Sequence, residues 1–395
     1  MHKQMFHDAF EVLDIINEAG HEAFIVGGAV RDYYLNRQIG DIDIASSATP
    51  SEIIKLFKDV IPVGIKHGTV IVRYKKKSYE VTTYRTETGY SDYRHPDKVE
   101  FVTDILTDLS RRDFTINAMA MDKHFKIEDP FEGKKDIERR LIRTVRNPFE
   151  RFEEDPLRMM RGLRFSSQLN FKMDIECTEA IHSLHPAIEY IAVERIAVEW
   201  EKMFKGENVQ YSLRLLFQTN LVNCLPLIKE SKQLKRSLLK HQARLFSMAE
   251  IVTTFYLYDS SIHINKWAKE WKLSSKAKRN AIILADLIND VERKEALAWI
   301  IYRLPKELIS SFCRTGELFV DLPAKNMLKY QKNKLPISNR KELALNGNDI
   351  ISTFPERKQG KWIDSLLLEI EKKVVLGEID NTKLAIKEWL LHEKK

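Results

Sequence analysis

A chain of 395 residues exceeds what one ordinary core fills, and at roughly 100–200 residues per domain it divides into several packed units. With 64 Lys and Arg against 57 Asp and Glu it carries +7, which favours a polyanionic partner, while three scattered cysteines with no CxxC spacing suggest neither a disulfide framework nor a zinc site and fit a reducing interior. The opening "MHKQMFHDAFEVLDIINEAG" holds no apolar stretch of signal-peptide length, and "AIILADLI" and "ALAWIIY" are too short to span a bilayer, so a cytoplasmic protein is expected.

In chain order, Phe6, Phe10, Leu13 and Ile16 fall on one helical stripe that Gly20 is placed to end in a left-handed cap. Short strands are then predicted at "AFIV" (23–26), "DIDIA" (41–45), "TVIVRY" (69–74) and "YEVTTY" (79–84), the last two joined by the polar turn "KKKS". Beyond about residue 150 the strand signals fade into helical patterns such as "DPLRMMRGLRF", "VERIAVEWEKMF", "SLRLLFQ", "EALAWIIYRL", "WIDSLLLEIEKKVV" and "KLAIKEWLL". The fold class is therefore α+β, a head with a small mixed sheet followed by an all-helical remainder. The polar stretch "KYQKNKLPISNRKE" (329–342) reads as a linker within the helical part.

The stretch "IVGGAVRDYYLNRQIGDIDIA" (25–45) carries the first chemistry. A strand's period of two points Asp41 and Asp43 to one face and Ile42 and Ile44 to the other, so the carboxylates converge while the isoleucines bury. Two like charges held that close want a hard cation such as Mg²⁺, which sits between carboxylates and substrate phosphates. Gly27 and Gly28 at a strand end, before a helix start, let backbone N–H groups approach phosphate oxygens, with Arg31 adding positive charge. Together they make a metal–triphosphate site. Asp-x-Asp by itself is common on half-exposed strands and also serves sugar-nucleotide transferases, and Glu80 on "YEVTTY" is either a third carboxylate or a solvent-facing glutamate.

A second constellation lies in "EEDPLRMMRGLRF" (153–165), where Asp155, Arg158, Arg161 and Arg164 recur every third position along one side of a helix. Cytosine and adenine both present an exocyclic amino group beside a ring-nitrogen acceptor, whereas uracil and guanine present the opposite polarity. A carboxylate that accepts from the amino group and an arginine that donates to the ring nitrogen therefore take C or A and leave polar groups unpaired with U or G. The competing reading makes Asp155 the N-cap of a helix opened by Pro156, with the arginines in surface ion pairs.

The pattern of paired glycines followed by an acid–apolar–acid strand resembles the DNA polymerase β-type nucleotidyltransferase superfamily. Further motifs, "RRDFTINAMA" (111–120), "DPFEGKKDIERRLIRTV" (129–145), "EEDPLRMMRGLRF" and "VERIAVEWEKM" (193–203), resemble in order and spacing those of the class II tRNA nucleotidyltransferase/poly(A) polymerase family over about residues 20–205. "VGIKHGTVIV" and "YEVTTYRTETGYSDYRHP" look like its bacterial CCA-adding branch. The resemblance implies template-independent addition of CCA to the 3′ end of tRNA from CTP and ATP, with tRNA, CTP and ATP as partners, Mg²⁺ as cofactor and a homodimer as assembly. It implies Asp41 and Asp43 as catalytic metal ligands. Gly28, Arg31, Arg112, Asp155, Arg158, Arg161 and Arg164 become nucleotide-binding positions, with Asp155 and Arg158 reading the base and Asp113 a ribose ligand. For Arg112 and Asp113 the competing reading is a turn-stabilising salt bridge. The segment "TETGYSDYRHPDKVEF" (86–101) resembles the family's flexible loop, needed when specificity changes from C to A, and its composition also reads as mobile. The implied organisation is a nucleotidyltransferase head at 1–145, a base-recognising neck at 146–205, a body at 206–290 and a tRNA-binding tail at 291–395. An A-adding or CC-adding relative and a bacterial poly(A) polymerase are the alternatives. The loop argues against CC-only addition, and the poly(A) polymerase hallmark, a Gly-Arg-Arg-Phe-type segment, is missing.

Overall fold

The computed structural model describes residues 5–90, 93, 96–323, 325, 328 and 332–393. It separates into two compact units, residues 1–244 and 245–395. Residues 91, 92, 94 and 95 of the predicted loop and 329–331 of the predicted linker lie outside the described residues.

In the first unit, α1 (His7–Glu18) buries Ala9, Val12, Leu13 and Ile16 together with the preceding Phe6, and Gly20 ends it at φ 87°. The stripe is there because every third or fourth residue is apolar. The chain continues through β1 (Ala23–Val26), α2 (Gly28–Tyr34), β2 (Asp43–Ser46), α3 (Pro50–Leu56), β3 (Val60–Ile61), β4 (Thr69–Tyr74) and β5 (Lys77–Thr83). Lys75 and Lys76, both at positive φ, make a two-residue turn between β4 and β5, while Lys77 and Ser78, expected in that turn, already pair in β5. A ribbon of β6 (Arg85–Thr88) and β7 (Lys98–Phe101) leads to α4 (Ile105–Ser110), β8 (Ala120–Met121), β9 (Ile127–Glu128), α5 (Gly133–Glu138) and β10 (Leu141–Ile142). The seven-stranded sheet runs in the order β3-β4-β5-β2-β1-β8-β9, and its β2–β5 pair is parallel.

Two of these elements differ from the sequence reading. Strand β2 begins at Asp43, so Asp41 precedes the strand instead of lying in it. The segment 86–101, expected as a loop, has paired ends: Thr86 stands opposite Glu100 and Thr88 opposite Lys98, because alternating Arg-Thr-Glu-Thr and Lys-Val-Glu-Phe suit a twisted two-stranded ribbon.

Helices follow: α6 (Pro148–Glu154), α7 (Leu157–Leu169), then β11 (Lys172–Met173) paired with β10, α8 (Ile175–Leu184), α9 (Val193–Phe204), α10 (Val209–Gln218) and α11 (Lys232–Lys240). Helix α7 packs along α9 and α10. A Cβ at Gly162 would lie 2.8 Å from Met173 and 3.2 Å from Phe114, so the bare backbone in "RGL" lets the "RRDFT" segment close onto α7.

The second unit is helical, with its longest helices at Ser275–Glu292 and Trp362–Val375. One cluster joins Trp299, Ile337, Leu345, Ile350, Ile370, Val374, Ile386 and Leu390. Burial of Ile337 in that cluster means that the polar stretch read as a linker packs onto a core, anchored by its few apolar residues. Among the described residues no helix is long and apolar enough to cross a membrane.

Candidate active site

The strand end of β1, the turn into α2, the start of β2, the "RRDFT" segment and one face each of α7 and α9 enclose a cavity of about 700 Å³. Of the sequence-predicted residues, Gly28, Arg31, Asp43, Arg112, Asp113, Asp155, Arg158, Arg161 and Arg164 line it; Asp41 does not, and is exposed just ahead of β2.

At the carboxylate edge, parallel pairing of β2 with β5 sets Asp43 directly beside Glu80. Among the described residues no ion pair reaches Asp41, Asp43 or Glu80. Asp43 faces the open cavity, but the protein packed behind it is the largest influence on its carboxyl. That desolvation, together with Glu80 and Asp41 and against the pull of Arg112, pushes it up to about 6. Two neighbouring carboxylates, Asp43 and Glu80, with no ion pair of their own and Asp41 close enough to act on Asp43, offer the oxygen donors that suit a hard divalent ion. The glycine constraint falls one residue earlier than expected. Gly27 sits at φ 73°, and a Cβ there would lie 3.3 Å from Arg112 Nη1 and 3.9 Å from Asp43 Oδ2. Gly28 has ordinary φ, with only van der Waals contact to Arg31.

The opposite wall is built of arginines, most of them anchored by acids. Arg161 donates through Nε to Asp113 Oδ2 at 2.7 Å, and Arg164 pairs with buried Glu199 at 2.9 Å. Arg158 donates through Nη1 to Glu154 at 2.5 Å and to the Arg151 carbonyl at 3.0 Å, and through Nη2 to the Arg111 carbonyl at 3.3 Å. Arg31 donates to Asn117 Oδ1 at 2.6 Å and to Asp32. The guanidiniums of Arg31, Arg161 and Arg164 surround the Phe165 ring at 5.3, 5.6 and 4.1 Å. Burial alone would raise the Asp113 carboxyl, but Arg161, the Asn117 amide and the Phe114 N–H hold it well below the usual carboxylate range. Burial lowers Arg164 to about 10 despite Glu199.

Asp155 lies at the junction of α6 and α7 and not in α7 itself, because Pro156 starts the helix. Its Oδ1 accepts from the Leu157 N–H at 3.1 Å, as the capping reading expects, and its Oδ2 accepts from Arg195 at 3.0 Å. Arg112 and Asp113 do not pair with each other: Arg112 donates to Asp108 at 3.2 Å while Asp113 serves Arg161 and Asn117. The β6–β7 ribbon reaches this wall through Glu87, which accepts from Arg85 at 2.7 Å, Arg111 at 3.0 Å and the Tyr90 hydroxyl at 2.8 Å. Tyr93 stacks on Tyr190 with ring centroids 4.8 Å apart.

Sequence reasoning named Gly27 for its backbone but not for its close approach to Arg112, and it missed Asp108, Asn117, Glu154, Phe165, Arg195 and Glu199. A signal existed for two of them. Arg195 and Glu199 stand four apart in "VERIAVEWEKM", on one helical face, and Lys202, three further on, lines the same cavity.

A family model described as "Poly A polymerase head domain" matches residues 23–143. "Probable RNA and SrmB- binding site of polymerase A" matches 170–231, and "tRNA nucleotidyltransferase domain 2 putative" matches 246–390. The CCA-adding enzyme of Oceanobacillus iheyensis is 42% identical over 394 residues, 99% of this chain and 98% of its own length. The chain belongs to the CCA-adding enzymes. Another CCA-adding enzyme, from Anoxybacillus flavithermus, is 40% identical over 99% of this chain and 98% of its own length. The crystal structure of the Bacillus stearothermophilus CCA-adding enzyme in complex with CTP superposes with a TM-score of 0.89 at 36% identity, covering 98% of this chain and 97% of that one. A CCA-adding enzyme is a nucleotidyltransferase, and membership of that family implies dependence on a divalent metal ion.

Proposed function

We propose that the chain adds C, C and A in turn to the 3′ end of tRNA, taking CTP and ATP and releasing pyrophosphate, with the protein itself as template. The carrying observation is that the carboxylate edge at Asp43 and the Asp155–Arg158 pair line one cavity. Asp41 and Asp43, with Glu80 beside them, are the proposed ligands, and Mg²⁺ is the proposed ion. Bound there, it supplies positive charge against the attacking oxygen and the triphosphate. Gly28, Arg31, Arg112, Arg161 and Arg164 orient the nucleotide. Catalysis is mostly positioning, because a triphosphate already carries a good leaving group.

The base-reading geometry is chemically sufficient. A guanidinium has five donors, and the Arg158 contacts to Glu154, Arg151 and Arg111 leave two for a ring nitrogen. A carboxylate oxygen has two lone pairs, so each Asp155 oxygen keeps one for an exocyclic amino group. The tie from the β6–β7 ribbon through Glu87 and Arg111 to Arg158 supports a role for 86–101 in the change from C to A. The tRNA is assigned to the helical body (206–290) and tail (291–395), the chemistry to the head (1–145) and neck (146–205), the enzyme to the cytoplasm and its assembly, on the resemblance alone, to a homodimer. The test supplies tRNA ending at the discriminator base with each labelled nucleotide in turn. Ordered incorporation of two CMP and one AMP is expected. AMP addition only to tRNA already ending in CC, or unlimited AMP addition with no use of CTP, would overturn the reading in favour of an A-adding enzyme or a poly(A) polymerase.

A further inference from the structure

A second cavity of about 290 Å³ opens beside the first, and Arg31, Asp32 and Gln168 belong to the walls of both. Arg37, Lys205 and Arg244 add its other cations, with Glu207 as the one carboxylate it does not share with the larger cavity. Arg37 pairs with Glu207 at 3.2 Å, and both side chains are exposed. Arg244 donates to the Lys205 carbonyl through Nη2 at 2.6 Å and Nε at 3.1 Å, which caps the C-terminal end of α9. Lys205 Nζ pairs with Glu201, which is not in the wall. Capping explains the Arg244 contact. It does not explain why four cationic side chains against two carboxylates converge on a cavity that shares a wall with the active site.

The direction of the reaction supplies a reason. Asp155 and Arg158 stand at the N-terminal end of α7 and Gln168 near its C-terminal end, about 15 Å further along the axis at 1.5 Å per residue. A nucleotide with its base at the first end and its α-phosphate at Asp43 can extend its β- and γ-phosphates to Arg31, whose guanidinium also belongs to the wall of the side cavity. In the transfer, the bond from the 3′ oxygen to the α-phosphorus forms as the bond from that phosphorus to the α–β bridging oxygen breaks. The electron pair leaves with pyrophosphate, opposite the attacking hydroxyl, whose proton passes to solvent. We infer that the side cavity at Arg37, Lys205 and Arg244 is a binding site for the departing pyrophosphate, through which the product leaves while the grown RNA end stays in the main cavity. This rests on the proposed nucleotidyl transfer and adds to it a release site.

The experiment is inhibition of CMP addition by added inorganic pyrophosphate, together with the reverse reaction, pyrophosphorolysis of a tRNA ending in CC. In Arg37→Ala and Arg244→Ala the inhibition constant and the reverse-reaction KM for pyrophosphate should each rise roughly fivefold per lost cation, with the KM for CTP and the first-turnover rate within about twofold of wild type. Arg37→Lys should retain near-normal pyrophosphate affinity, and Glu207→Gln, which removes a wall carboxylate at the surface, should tighten inhibition. Unchanged inhibition in all the variants would overturn the inference, as would pyrophosphate and CTP constants that rise together, since that marks a contact to the bound triphosphate. A wild-type protein that transfers no CMP would overturn the proposed function and this inference with it.

Discussion

The two sides of the main cavity hold charge in opposite ways. At the β2–β5 edge, Asp43 lies beside Glu80 with Asp41 nearby, and among the described residues no ion pair relieves them. On the α7 wall, Arg158, Arg161 and Arg164 are each held by a carboxylate from another position: Glu154, Asp113 and Glu199. The first side is left short of positive charge, so it binds a cation. The second is neutralised and oriented, so it presents directed donors instead of a diffuse positive field. Coulomb energy suits gripping an ion or a triphosphate; fixed hydrogen-bond geometry suits telling one base from another.

Breaking the acidic side should have the largest effect. Asp43→Asn is expected to lower nucleotide transfer by on the order of 10³ while tRNA affinity is retained, as single-turnover rates and a filter-binding curve would show. Equal loss of tRNA binding would assign the edge a folding role. Gly27→Ala should come next, because its φ of 73° and the 3.3 Å approach to Arg112 leave no unstrained place for a Cβ. We expect a loss of about 1–2 kcal/mol in stability, read from a urea midpoint, and a fall in kcat beyond what Gly28→Ala produces.

On the arginine side, Glu154→Gln should act on selectivity more than on rate. Freed of its ion pair, Arg158 is expected to lose about 1–3 kcal/mol of discrimination against UTP and GTP, seen as misincorporation under competing nucleotides. Retained selectivity would mean that the Arg151 and Arg111 carbonyls suffice to aim it. The smallest effect is on pH stability. The Asp113 carboxyl is lowered from an ordinary value of 3.8, so its pairing adds stability above that value and loses it as pH falls toward the folded-state value. Asp113→Asn should therefore flatten the acid limb of a stability–pH curve by on the order of 1 kcal/mol, and an unchanged limb would show that Arg161 does not hold a charged Asp113.

Much of this was legible in advance. Strand 69–74 and helices 193–204 and 362–375 lie where alternation and helical periodicity put them, because each buries one face and its own pattern specifies which, and strand 23–26 lies where a short apolar run puts it, buried on both faces. The arginines of α7 were visible for the same local reason, their spacing along one helix, whereas the Asp-x-Asp pattern brought Asp43 to the site and left Asp41 ahead of the strand.

The pairing of those residues with distant ones was not local. Glu80 beside Asp43 follows from a parallel register between strands separated by a helix and a hairpin. Asp113 on Arg161 and Glu199 on Arg164 follow from the closure of the "RRDFT" segment and α9 onto α7, which Gly162 permits on the first of these sides. The ribbon at 85–101 was read as a loop because its strands are polar, and only cross-strand pairing makes them regular. By itself the sequence determined which residue types the chemistry would use and which faces would bury, since both depend on neighbours three or four positions away. Tertiary structure alone decided which acid neutralises which arginine and which acids stay unpaired, because an ion pair depends on distance in space, and the partners lie 48 residues apart for Arg161 with Asp113 and 170 for Arg37 with Glu207.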